Sequence, residues 1–279
     1  MPIDDQPRAR PQTIFVAIPV YNGAPYIGQA IQSLISQSYP HWRLTVYDNA
    51  STDATREVVQ SFSDDRITLA VIDKTVAVWD NWNCCLSEVK GDFFQLLCAD
   101  DALHPSCFEK KIMLAEKPEN AAITIFSSNR NLMSAKGKML FVIGYSRRLG
   151  VFSRDNVIRA VVSKTNPIGD PATGLTRTAA LSDIQGFSAD YPFMVDLDFW
   201  LQVLEKGDML HTPAVLSYFR ISGGALSGSR FFQNCGDYVR FYRRRIKPHF
   251  NDRLMLYYWG YLCFAGRALM RQAVYFINR

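Results

Sequence analysis

What the 279-residue sequence lacks narrows its reading first. Its six cysteines (Cys84, Cys85, Cys98, Cys107, Cys235 and Cys263) form no CxxC pair and no zinc-like spacing, which argues against structural zinc and for free thiols in a reducing compartment. No GxGxxG follows the first apolar run and no GxxxxGK[ST] occurs anywhere. Neither a dinucleotide-binding phosphate turn nor a P-loop is therefore available. The opening "MPIDDQPRARPQ" has no apolar core and reads as a polar tail rather than a signal peptide, so the expectation is a cytoplasmic protein. The apolar stretch from Leu254 to Gly266 is 13 residues and is followed by Arg267, too short for a span that needs about 20. Acidic residues are scarce at one end only: residues 240–279 hold nine Lys/Arg and one acid, leaving 22 Lys/Arg and 25 acids for the rest. Basicity is a property of the C-terminus, and no nucleic-acid reader motif accompanies it.

What is present is an alternation. With 48% hydrophobic residues the chain can bury a large core. "TIFVAIPV" (13–20) is a nearly unbroken apolar run of strand length, the pattern of a strand covered on both faces. Behind it Ile27, Ala30, Ile31, Leu34 and Ile35 form one stripe of an amphipathic helix. The unit repeats: "WRLTVYD" predicts a strand, "STDATREVVQSF" a helix opened by a Ser/Thr cap, "RITLAVI" a strand, "AVWDNWNCCLSEV" a helix and "DFFQLLCA" a strand. From about residue 121 the pattern becomes mixed. "AAITIF" and "KMLFVIG" predict strands flanking a polar connection with the turn signal "AKGK", and "RDNVIRAVVSK" predicts a helix.

In an open parallel sheet, ligands sit beyond the carboxyl ends of the strands. Three predicted strands end in polar side chains there: Tyr21 and Asn22, Asp48 and Asn49, Asp100 and Asp101. Two adjacent carboxylates at one strand end repel unless a positive group joins them. A Mg2+ or Mn2+ ion does this while leaving positions open for phosphate oxygens. The plainer alternative is that Asp101 caps a helix starting near Pro105.

In order and spacing, "IPVYN", "SLISQSY", "VYDNASTDAT", "GDFFQLLCADD" and "DLDFWLQVL" resemble the inverting family 2 glycosyltransferases of the GT-A, nucleotide-diphospho-sugar type, over roughly residues 13–229. The resemblance implies an α/β fold with a mainly parallel, Rossmann-like sheet flanked by helices and a C-terminal helical appendage. It implies a GT-A domain (13–235, with 13–120 for the nucleotide sugar and 121–235 for the acceptor), to which the composition adds a polar tail (1–12) and a basic, aromatic C-terminal segment (236–279). Pro19, Tyr21, Asn22, Asp48 and Asn49 border the donor in that reading. Of Asp100 and Asp101, one binds the metal and the other holds the ribose. Cys98 stands where many members carry a further Asp, Val195 where many carry Glu, and Ser222 near the place where some carry a metal-binding His. Asp196 takes the position of the general base, with Asp198 as its competitor.

The implied reaction is transfer of a sugar from a nucleotide diphosphate, UDP before dTDP or GDP, to a glycan or lipid-linked acceptor, with inversion. A sugar-nucleotide-binding scaffold and a nucleotidyltransferase are the alternatives; the latter lacks a basic phosphate loop near the first strand. For 236–279 two readings stand. The segment packs on the domain or on a second subunit, or it lies on an anionic membrane surface at the inner face of the plasma membrane.

Overall fold

The computed structural model describes residues 10–164, 166–221, 231–250, 259–260 and 262–266. The first half is built as the alternation predicts. β1 (Ile14–Val20), α1 (Ile27–Ile35), β2 (Trp42–Asp48), α2 (Thr55–Gln60), β3 (Ile67–Val71), α3 (Val78–Ser87) and β4 (Phe93–Leu96) follow one another. All seven residues of β1 are buried. Successive strand side chains point to opposite faces, and each face of β1 has its own cover. Ile14, Val16, Ile18 and Val20 pack with Ile27, Ala30, Ile31 and Leu34 of α1, whereas Phe15 and Ala17 join a second cluster that contains Cys85 of α3. An unbroken apolar run is the sequence signature of that double burial.

The second half comprises β5 (Ala102–Leu103), α4 (Cys107–Ala115), β6 (Ile123–Ser134), β7 (Met139–Ile143), β8 (Gly150–Phe152), α5 (Arg154–Lys164), β9 (Gly174–Arg177), α6 (Val195–Val203), β10 (Asp208–Ile221) and α7 (Phe231–Phe241). Among the described residues the strands form one sheet of order β3-β2-β1-β4-β9-β6-β10-β5, with β7 added to β6 and β8 to β10. β3, β2, β1 and β4 run parallel. β9 is antiparallel to both β4 and β6, and β6 is parallel to β10.

Two local expectations are corrected. The polar stretch after "AAITIF", expected as a connection, continues β6 to Ser134. Its polar side chains are tolerated in the sheet because they find buried partners: Ser127 Oγ lies 2.9 Å from His211 Nδ1, and Asn129 Nδ2 donates to the Pro213 carbonyl at 2.9 Å. Burial lowers the pKa of that histidine to about 4, so it stays neutral. Helix α2 is not opened by a Ser/Thr cap. It starts at Thr55 after an uncapped Ala54, and Asp53 Oδ1 accepts the Thr55 N–H at 3.0 Å instead.

The described part of the C-terminal segment packs on the domain. Tyr238, Phe241, Tyr242 and Ile246 are wholly buried in the cluster that holds Leu197, Phe199 and Trp200 of α6, and Phe264 stacks on Tyr238 with ring centroids 3.7 Å apart. Residues 251–258, 261 and 267–279 lie outside the described residues, and with them most of the stretch weighed for membrane contact. No helix among the described residues is long and apolar enough to cross a membrane.

Candidate active site

The turns after β1 and β2 are laced together. Asn22 takes a left-handed backbone conformation (φ 51°), which asparagine tolerates better than most residues. Its N–H donates to Ser51 Oγ at 2.9 Å, and its side-chain carbonyl accepts the Thr52 N–H at 2.8 Å. Gly23 N–H donates to Thr55 Oγ1, and Ala24 N–H to Asp53 Oδ2. A Cβ on Gly23 would stand 2.4 Å from Val20 Cγ2, so only glycine allows this approach. Asp48 is wholly buried, ion-paired to Arg56 at 2.6 Å and accepting the Ser51 N–H. Asn49 exchanges two hydrogen bonds with the backbone of Val76. Pro19 lies within β1, opposite Tyr47. Tyr21, 52% exposed, presents its ring at the rim.

A second group gathers around the carboxyl end of β4. Asp101 is buried; its Oδ1 accepts the Arg220 N–H at 2.9 Å, while its Oδ2 is buried with no hydrogen-bond partner. Burial first, then the neighbouring charges of Asp100 and Asp170, raise its pKa well above the carboxylate range. Asp101 caps no helix, since α4 begins only at Cys107, after Ser106. Arg220 clamps the Asp100–Asp101 turn: Nε donates to the Asp100 carbonyl, Nη2 to Gln29 Oε1 and Nη1 to the Ala135 carbonyl. Cys98 sits among Asp100, Asp101, Asp170 and Asp196, and burial together with those carboxylates pushes its thiol pKa far up. The residue at this place is thus a neutral thiol where an aspartate would add another negative charge.

Asp196 lies at the start of α6, half-buried. Its Oδ2 accepts from Asn166 Nδ2 at 2.7 Å and its Oδ1 from the Leu197 N–H at 2.8 Å. Desolvation, reinforced by Asp170, brings its pKa up to about 7. Asp198 faces elsewhere: wholly buried, it pairs with Arg245 Nε at 2.6 Å and accepts from Gln202 Nε2. The two aspartates, two positions apart on a helix, point to different sides as that spacing requires.

Three residues of this group carry no motif that singles them out in the sequence. Asp170, 8% exposed, is ion-paired to Arg130 at 2.8 Å and links the Asp101 and Asp196 ends of the cluster electrostatically. Asn166 ties the segment 166–174 to Asp196 and to both the N–H and the carbonyl of Gly169. Gly169 (φ +108°) is required there, because a Cβ would meet Arg130 Nη1 at 2.0 Å. The signal the sequence offers there is the Gly and Pro content of "NPIGDPATG", which marks a shaped loop without marking the charges. Ser222 lies outside the described residues.

The buried, unpartnered oxygen of Asp101 beside Asp100 is chemically suited to a divalent cation. Among the described residues no three His, Cys, Asp or Glu side chains gather for a metal.

The family model for Glycosyl transferase family 2 matches residues 15–163. A Haemophilus influenzae protein described as an uncharacterized glycosyltransferase is 26% identical over 220 residues, 77% of this chain and 67% of that protein. An Escherichia coli UDP-Glc:alpha-D-GlcNAc-diphosphoundecaprenol beta-1,3-glucosyltransferase, WfgD, is 25% identical over 78% of this chain and 81% of its own length. The chain spans 64% of the length of two further relatives. Among solved structures, the mannosyltransferase PcManGT from Pyrobaculum calidifontis, in complex with GDP-Man and Mn2+, superposes with a TM-score of 0.63 at 19% identity, covering 96% of this chain and 76% of that one. That likeness shows a GT-A fold, and the family match covers more than half of the sequence, so this chain belongs to glycosyl transferase family 2.

Proposed function

We propose that the chain transfers a glycosyl group from a nucleoside diphosphate to an acceptor hydroxyl in a single in-line displacement with inversion. Asp196 removes the acceptor proton as the oxygen attacks the anomeric carbon. The observation that carries this reading is a half-buried carboxylate whose pKa is pushed up to about 7, oriented by Asn166 and sharing one electrostatic cluster with the strand-end acids. A general base works best when its pKa is near the working pH.

The donor half is residues 13–120 and the acceptor half 121–235. Tyr21 packs on the nucleoside base, with Pro19, Asn22, Asp48 and Asn49 bordering it. Uridine is the favoured nucleoside, a choice supported by the UDP-Glc in the name of the E. coli relative. Asp101 holds a Mg2+ or Mn2+ ion and Asp100 the ribose or the same ion. Bound there, the cation offsets charge on the departing diphosphate. Arg220 keeps the two acids in register by gripping the turn between them. The acceptor is a glycan or a lipid-linked sugar, in keeping with the diphosphoundecaprenol acceptor named for that relative.

Calorimetry with UDP and Mn2+ tests the donor side. Asp101→Ala and Asp100→Ala are each expected to weaken metal-dependent UDP binding. Wild-type affinity in both variants would overturn the metal assignment. A panel of nucleotide sugars, read by thermal shift and then by turnover, identifies the donor; stabilisation by none of them would sink the transferase reading.

A further inference from the structure

The hairpin of β6 and β7 has a surface that the proposed chemistry does not use. In β7, Phe141, Val142 and Ile143 are 46%, 52% and 36% exposed, and Met139 is 47% exposed. Consecutive strand residues point to opposite faces, so exposure of three in a row means that both faces of this strand meet solvent. Its outer edge has no partner strand among the described residues.

The charges around it are of one sign. Lys136 and Lys138 stand exposed in the turn, which is closed by Gly137 N–H to the Ser134 carbonyl and Ser134 N–H to the Lys138 carbonyl, both 2.9 Å. Arg147 and Arg148 stand exposed just after β7, and no acid occurs between Asn131 and Arg154. Among the described residues none of these four cations has an ion-pair partner.

We propose that this hairpin docks the protein on an anionic phospholipid surface, with the β7 side chains entering the headgroup layer and the four cations meeting lipid phosphates. Exposed apolar side chains flanked by unpaired cations and no acids match a negatively charged interface. A second copy fits worse, because pairing two β7 edges sets like charges against each other. Both ends of the hairpin are tied to the acidic cluster: at its open end Arg130, opposite Ile143 in the register, pairs with Asp170, and at its turn the Ala135 carbonyl accepts from Arg220, whose N–H binds Asp101. Docking by this edge therefore sets the cluster close to the lipid surface. The proposal does not depend on sugar transfer.

The test is co-sedimentation of the full chain with vesicles of phosphatidylcholine alone or of phosphatidylcholine with phosphatidylglycerol. Wild type is expected to sediment with the anionic vesicles only, and less as salt is raised. Phe141→Ser/Val142→Ser and Lys136→Glu/Lys138→Glu change exposed positions, and each is expected to reduce bound protein by about tenfold with thermal stability unchanged. Failure of wild type to sediment, or wild-type sedimentation by both variants, would overturn the proposal; the latter would move any lipid contact to the C-terminal segment. Concentration-dependent self-association that both variants abolish, without vesicle binding, would make a second copy the occupant instead.

Discussion

The two polar groups at the sheet's carboxyl end are built on opposite principles. Around Asn22, Asp48 and Asn49 the hydrogen-bonding groups are largely spoken for: Asn22 by Thr52, Asp48 by Arg56 and Ser51, Asn49 by Val76. Around Asp101, Asp170 and Asp196, carboxylates share one buried region, an Asp101 oxygen lacks a hydrogen-bond donor, and all three pKa values are raised by burial. The first region is a finished frame. The second is held in an electrostatically unfavourable arrangement, the kind that a bound cation relieves and that marks a candidate site.

The comparison breaks most directly at Asp196. Asp196→Asn keeps the shape and a hydrogen bond to Asn166 but removes the proposed base, so kcat is expected to fall about 10²- to 10⁴-fold with donor binding nearly intact. Steady-state kinetics beside UDP calorimetry check it, and retained turnover would place the base elsewhere. Asp198→Asn is the counterpart on the structural side. Asp198 is buried but the Arg245 side chain it leaves behind is 28% exposed, so the loss is expected to cost about 1–3 kcal/mol, read as a lower urea midpoint, with kcat per folded molecule unchanged. A collapse of kcat in a well-folded Asp198→Asn would exchange the roles of the two acids.

The pH profile sharpens the contrast further. Asp196 must be ionised to act, so activity is expected to rise with pH through about 7. Because Asp170 also raises that pKa, Asp170→Asn should move the limb to lower pH. Stability runs the other way. A carboxyl with a raised folded-state pKa binds its proton more tightly when folded, so the substrate-free protein should lose stability as pH rises from about 4 to 7, measurable as a falling Tm. The smallest effect belongs to the opposite, amino end of the sheet: Arg10 pairs with Asp92 at 2.7 Å, yet its side chain is 71% exposed, and Arg10→Ala should shift stability by under about 0.5 kcal/mol.

The sequence made the first half legible because double burial writes an unbroken apolar run, as in β1, and single-sided burial writes a helical stripe, as in α1. It hid the length of β6, since Ser127, Ser128 and Asn129 read as loop residues although they are buried. The strand-end acids were visible from their position alone. Asp170 and Arg130 were not, because 40 positions separate them in sequence and only the sheet order β9-β6 brings their surroundings together. What links them is a contact, and contacts between distant segments leave no local pattern.

The pairing of Asp198 with Arg245 also bears on how the protein is made. The two side chains are 47 positions apart, and translation at about 5–20 residues per second separates their synthesis by roughly 2–9 s. During that interval the Asp198 carboxylate is stable only while water solvates it, because its burial in the folded chain goes with the ion pair to Arg245. Burying the helix before Arg245 is available would leave the Asp198 carboxylate without its cation, a costly arrangement, so a chain ended before residue 245 is expected to keep its β1–β4 half folded while the helix packs poorly.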